Sequence, residues 1–166
     1  MGEPIQAKVD LSSMKAGLAQ LLGPARESIA RTMAAAGGRV IRDEAKERVP
    51  RVTGTLADAI YLAYKQDRST EALFVYSISW NSRKAPHGHL VELGHWQTNV
   101  VVRTKSGQYI TTDRKLASPR WIAPKAFLRP ALDSAGSRAF EAMMKAGRAR
   151  MFDLLADAGD LEDTSL

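Results

Sequence analysis

The sequence predicts an α+β domain in which long N-terminal and C-terminal helices pack on a small antiparallel sheet with a projecting hairpin. Two long stretches, near 25–48 and from about 125 onward, repeat apolar residues at helical spacing. Between them lie two pairs of short segments that alternate aromatic or β-branched residues with polar ones, each pair joined by a polar turn. At 166 residues, with 45% hydrophobic and 25% charged side chains, the chain suits one domain with one substantial core.

Residues 11–22, LSSMKAGLAQLL, set Leu11, Met14, Leu18 and Leu21 or Leu22 at helical spacing behind Asp10 or Ser12 as candidate caps, which predicts a short amphipathic helix. Gly23-Pro24 interrupts it, and Pro24 suits the first turn of a second helix, where its missing N–H would have no intrahelical partner. That helix is expected to run to about Arg48. Ile29, Met33, Ala36, Val40, Ile41 and Ala45 form its core stripe, and Glu27/Arg31, Arg39/Asp43 and Glu44/Arg48 are candidate i,i+4 pairs on the solvated face. Gly37-Gly38 within the stripe costs on the order of 1 kcal/mol per glycine relative to alanine. Close packing or a bend is therefore expected there.

Pro50 ends the helix, because the residue before a proline is pushed out of the α region. Thr53-Gly54-Thr55 then offers a turn and a cap for one helical turn through Ala59, and 61–65 and 72–80 read as a hairpin around Gln66–Glu71. HGHLVELGH at 87–95 predicts one or two helical turns stopped by Gly94. Residues 98–104 and 108–113 flank Lys105-Ser106-Gly107 as a second hairpin, expected to project because a core hairpin would carry fewer charges. Ser118-Pro119 and Ala123-Pro124 bracket an extended connector. The last helix, from about Lys125, carries Leu128, Leu132, Ala135, Ala139, Met143, Met151, Leu154 and Leu155 on its stripe, with Pro130 in its first turn or two. The expected organisation is an arm over 1–10, one domain over 11–156 and an acidic, mobile tail over 157–166.

Cysteine is absent, which removes disulfides, thiol catalysis and Cys-based zinc sites. No run of about 18 apolar residues occurs, and MGEPIQ has Glu and Pro where a secretory signal needs a basic patch and an apolar run. Neither membrane spanning nor export is expected. Net charge is +6, but Asp153, Asp157, Asp160, Glu162 and Asp163 are followed or accompanied by no base, so residues 1–152 hold 24 bases against 13 acids, a net +11. A basic body with an acidic end suits contact with nucleic acid, or solvated surface charge with the tail as its complement.

His87, His89 and His95 lie around Glu92, and imidazoles with a carboxylate can bind zinc. The spacing His89-x-x-Glu92-x-x-His95 matches neither helical zinc-protease pattern, and Gly94 breaks the helix before His95. Histidines hydrogen-bonded at a subunit contact are the simpler reading. No G-x-S-x-G elbow, Walker loop or G-x-G-x-x-G fingerprint occurs, so no enzyme, metal or cofactor is expected. Arg103, Lys105, Arg114, Lys115 and Arg120 stand out as candidate assembly or DNA-channel contacts. With Lys125 and Arg129 they oppose the single acid Asp113, and Tyr109 and Trp121 are interleaved among them.

Three segments together resemble the bacteriophage tail-component family typified by the gene-ten product of a lambdoid siphophage. VPRVTGTLADAI at 49–60 is similar to the family's VPxxTGxLxxSI, HLVELG at 89–94 to its short segment ending in hydrophobic-Glu-hydrophobic-Gly, and APKAFLRPALDSA at 123–135 to its APxPFLRPALD. Order and approximate spacing agree over residues 25–150. Ala126 replaces the proline usual before Phe-Leu-Arg-Pro, and 96–120 is longer than the usual connection. The resemblance implies a non-enzymatic virion protein of the neck or upper tail. It would be assembled in the host cytoplasm as a homo-oligomeric ring, partnered by other neck and tail proteins, with non-specific DNA contact in the channel. Thr53, Gly54, Glu92, Gly94, Phe127, Leu128, Arg129 and Pro130 would maintain the fold, Glu92 as a partner of Arg129 within or between subunits and Phe127-Leu128 as the anchor of the last helix. A basic nucleic-acid-binding protein is the alternative function, and a metal-dependent enzyme comes third.

Overall fold

The computed structural model describes residues 23–70, 72–105, 107 and 109–163, with the backbone alone over 158–163. The expected arm over 1–10 and helix over 11–22 lie outside the described residues.

Helix α1 (Gly23–Arg48) and helix α4 (Leu128–Asp163) form the frame, packed antiparallel along most of α1. Their seam is built from small residues. A Cβ on Gly37 would sit 2.6 Å from Met143 Cγ, and one on Gly147 would sit 2.7 Å from Met33 Cγ, so each glycine lets the opposing methionine close the gap. The close packing expected at Gly37 is thus present, and the fully buried Ala45, Ala131 and Ala135 continue it toward the other end.

Salt links tie the same seam. Glu44 on α1 accepts from Arg48 at 2.7 Å and Ser134 Oγ at 3.1 Å, and also from Arg138 across on α4. Arg138 first and Arg48 second hold the Glu44 carboxyl below its ordinary value, with Ser134 adding a smaller effect. The expected Glu27/Arg31 pair forms at 3.2 Å. Asp43 pairs with its neighbour Arg42 at 2.8 Å and not with the expected Arg39.

After Val49 and Pro50 the chain makes the short helix α2 (Thr55–Ala59), then strand β1 (Ile60–Tyr64), a 3-10 turn at Gln66–Arg68 and strand β2 (Tyr76–Trp80). The strands pair antiparallel from Ile60↔Trp80 to Tyr64↔Tyr76 and pack on α1. Residues 72–75, expected as strand, belong mostly to the connection, which a Thr70↔Leu73 bridge pinches. Helix α3 (Gly88–Leu93) follows and stops at Gly94, as the sequence predicts.

Strand β3 (His95–Arg103) and strand β4 (Tyr109–Ile122) make a second, separate antiparallel sheet. Neither packs extensively on any other element, so the hairpin projects. β4 continues through Ser118-Pro119, which the sequence reading takes as a connector. Fourteen residues of β4 face nine of β3, and the excess is absorbed by register shifts between Gln97 and Val101.

The main core joins Ile60 and Ile78 of the first sheet to Phe127, Leu128, Ala131 and Ala135 of α4. A smaller cluster of Ile29, Met33 and Met143 closes the seam's other end. Leu155, expected on the buried stripe, is 56% exposed, and its neighbour Leu154 is the one that packs on the smaller cluster. Among the described residues no helix is long and apolar enough to cross a membrane.

Candidate functional site

Two regions gather the residues singled out in the sequence. The first is the junction at the head of α4. A helix leaves its first N–H groups without intrahelical partners, and Lys125, Ala126 and Phe127 offer no side-chain acceptor for them. Glu92 supplies one from α3: its Oε2 accepts the backbone N–H of Phe127 at 2.8 Å and of Leu128 at 3.2 Å. The carboxylate is buried, and it also meets the positive end of the helix dipole. Its partner within the chain is therefore the helix N-terminus and not the expected Arg129, which is exposed.

Neighbouring contacts fix this arrangement. Lys125 N–H donates to Val91 O at 2.8 Å. Gly94 has φ 72°, and a Cβ there would meet Ile122 O at 2.7 Å and Pro124 N at 2.9 Å, so only glycine lets α3 turn into β3 beside the connector. Phe127 is fully buried and meets Trp80 of β2 edge-on, with ring centroids 6.0 Å apart. Pro130 sits in the first turn of α4, where its missing N–H leaves no gap.

The Thr-Gly-Thr turn joins the same region. Gly54 is the N-cap residue of α2, at φ 80°, and no side chain caps that helix. The hydroxyls of Thr53 and Thr55 bond each other at 3.0 Å, so the cap expected from a threonine is absent and the tight backbone turn remains. All three motif segments meet around a groove of about 280 Å³, lined by Val52, Thr53, Leu90, Val91, His95 and Ile122 among others. His87, just before α3, and His95, which opens β3 with a buried, unpartnered Nδ1, both line this groove, while His89 is exposed on α3. Among the described residues no three His, Asp or Glu side chains are placed to hold a metal ion.

The second region is the hairpin. Cross-strand partners share a face, and residues two apart along a strand do too. Trp96 with Trp121, and Val102 with Ile110, therefore define an apolar face at its base and tip. The two tryptophans meet edge-on at 5.6 Å yet remain 64% and 49% exposed. The other face is polar and basic. Arg120 donates to Gln97 at 2.9 Å, Lys115 to Asn99 at 3.0 Å, and the Arg103 guanidinium lies 5.9 Å from the Tyr109 ring centroid. Lys105 and Arg114 are exposed at the tip and on the bulged strand.

The five basic candidates thus share one hairpin, while the motif residues share the junction. The sequence reading missed the capping role of Glu92 and the apolar face of the hairpin. An uncapped Lys-Ala-Phe before a helix was the signal for the first; the second had none, because continuing the tip register would set Trp96 opposite Leu116, and only the register shifts bring Trp121 there.

Residues 12–94 match the model of a family described as "Bacteriophage HK97-gp10, putative tail-component". The match takes in the first two motifs and ends at Gly94, where the hairpin begins, so the resemblance at 123–135 lies beyond it. No curated protein and no solved structure matches the chain significantly.

Proposed function

Because the chain belongs to the HK97 gp10-like family of bacteriophage tail components, we propose that it is a neck or tail-completion subunit, acting as a homo-oligomeric ring between the head connector and the tail tube. The observation that carries this reading is the hairpin: a two-stranded sheet with both faces open to solvent is marginal alone and is completed by what it binds. The work is binding and not turnover. Closed cyclic assemblies arise when unlike surfaces of identical subunits meet, and the hairpin and the body are unlike surfaces. Further partners are the neighbouring neck and tail proteins, in a virion assembled in the host cytoplasm.

Electron microscopy of particles made without this protein tests the role. Full heads and separate, unjoined tails are expected, and tails joined normally to heads would defeat the proposal. The basic face of the hairpin favours a second reading, non-specific nucleic-acid binding. Gel-shift titration separates the two, since a nucleic-acid binder loses affinity steeply with rising salt and a neck subunit binds free DNA negligibly.

A further inference from the structure

We propose that the hairpin of one copy docks on the acidic C-terminal end of α4 in the next copy, so that a head-to-tail contact builds the ring; this rests on the homo-oligomeric reading above. The hairpin offers Trp96, Trp121, Val102 and Ile110 on one face, with Lys105 and Arg114 at its tip and flank. An apolar face of that kind on an unsupported two-stranded sheet calls for a cover, and its basic border calls for an acidic one.

The chain itself carries that complement. Beyond Arg150 no base occurs, while Asp153, Asp157, Asp160, Glu162 and Asp163 follow in sequence. Phe152 is 64% exposed beside the first of these acids and Leu155 is 56% exposed between the first two, so this end presents apolar and acidic groups together. Within one chain the two surfaces stand apart. Phe152 lies about 36 Å along the axis from Leu128, the hairpin springs from the Leu128 end, and it does not pack extensively on α4.

Two hairpins meeting face to face would bring like charges together, which disfavours a symmetric contact between them. A hairpin meeting the acidic end of a second copy joins opposite charges and two apolar patches. That contact is heterologous, so repeating it generates a ring when the rotation closes. Long lysine and arginine side chains at the ribbon's edges reach round to the acids while the tryptophan face covers Phe152 and Leu155.

A charge-swap experiment on the full chain tests this. Sedimentation velocity is measured for the wild type, for Lys105→Glu with Arg114→Glu, for Asp153→Lys with Asp157→Lys, and for all four substitutions together, each checked by circular dichroism for an unchanged fold. Either pair alone is expected to abolish the assembled species, and the four together to restore it. Tryptophan emission is expected to shift to the blue on assembly of the wild type and of the four-fold variant only. Assembly unaffected by either pair, or lost in the pairs and not restored in the four-fold variant, overturns the inference while leaving the ring intact as a reading. So does a hairpin pair that loses retention of duplex DNA with its assembled mass unchanged, which assigns the hairpin to DNA. A wild type that stays monomeric at every concentration overturns both the contact and the ring.

Discussion

The helical body and the hairpin solve opposite problems with residues from one chain. In the body, small side chains let large ones disappear: Ala131 and Ala135 are fully buried beside a fully buried Phe127, and Gly37 admits Met143. In the hairpin, large side chains stay in water: Trp96 and Tyr109 are each 64% exposed, and polar groups bond across the strands. The body's stability is internal, through close packing and the Glu44 and Glu92 links. The hairpin's composition is suited to an external surface, and neither core cluster draws a member from it.

That contrast predicts a steep gradient in the effect of substitution. Phe127→Ala, at the center of the junction, is expected to destabilise the chain by about 3–5 kcal/mol, since the aromatic ring is lost and Trp80 is left facing a cavity. Chemical denaturation measures it. A melting temperature within a degree or two of the parent would mean that the head of α4 is no more essential than the hairpin.

Next comes Glu92→Ala, expected to cost about 1–3 kcal/mol, because it leaves the Phe127 and Leu128 N–H groups buried without an acceptor. Glu92→Gln keeps an acceptor oxygen and is expected to lose less. Equal losses for the two variants in urea titrations would show that charge against the helix dipole, and not the hydrogen bonds, dominates.

These two sites also show what the sequence reveals. Phe127 and Leu128 are legible as core because they open an apolar stripe just after a proline. Glu92 is legible as special but not in its role, because its partners lie 35 and 36 residues away and periodicity carries no information over that span. The outer reach of β4 is hidden for another reason. Pro119 argues against a regularly paired strand, but it falls in the irregular stretch between the Gln97↔Arg120 and Asn99↔Lys115 pairs, where β4 has more residues than β3 can partner. Gly37-Gly38 gives the reverse case: a helix-weakening pair predicts close packing, and Gly37 admits Met143 of α4 while Gly38 admits Leu62 of β1.

A smaller effect is expected at Glu44, where acid should act on the body and spare the hairpin. Its folded carboxyl titrates below the ordinary value, chiefly because of Arg138 and then Arg48. The contribution is therefore present above the unfolded-state value and is lost as pH falls through the folded one. Glu44→Gln is expected to lower the melting temperature at neutral pH, with the gap to wild type closing as the pH drops through the carboxylate range. A gap of constant size in a pH series of thermal melts would show that the Arg138 and Arg48 links do not set the seam's stability.

The smallest effect on stability belongs to the hairpin tip. Replacing residues 103–108 by a short Gly-Asn turn removes Arg103 and Lys105 together with the exposed end of the ribbon, but no member of either core cluster. Exposed tips contribute few buried contacts, so the melting temperature of the monomer is expected to stay nearly unchanged. The same variant is expected to lose ring formation and to lower the yield of infectious particles. Both halves are needed for the contrast between body and hairpin to stand. If the variant unfolds, the ribbon supports the body and the division between the two regions is wrong. If it melts, assembles and infects like the parent, the division is right but the tip takes no part in assembly, and the contact surface must be sought at the base, around Trp96 and Trp121.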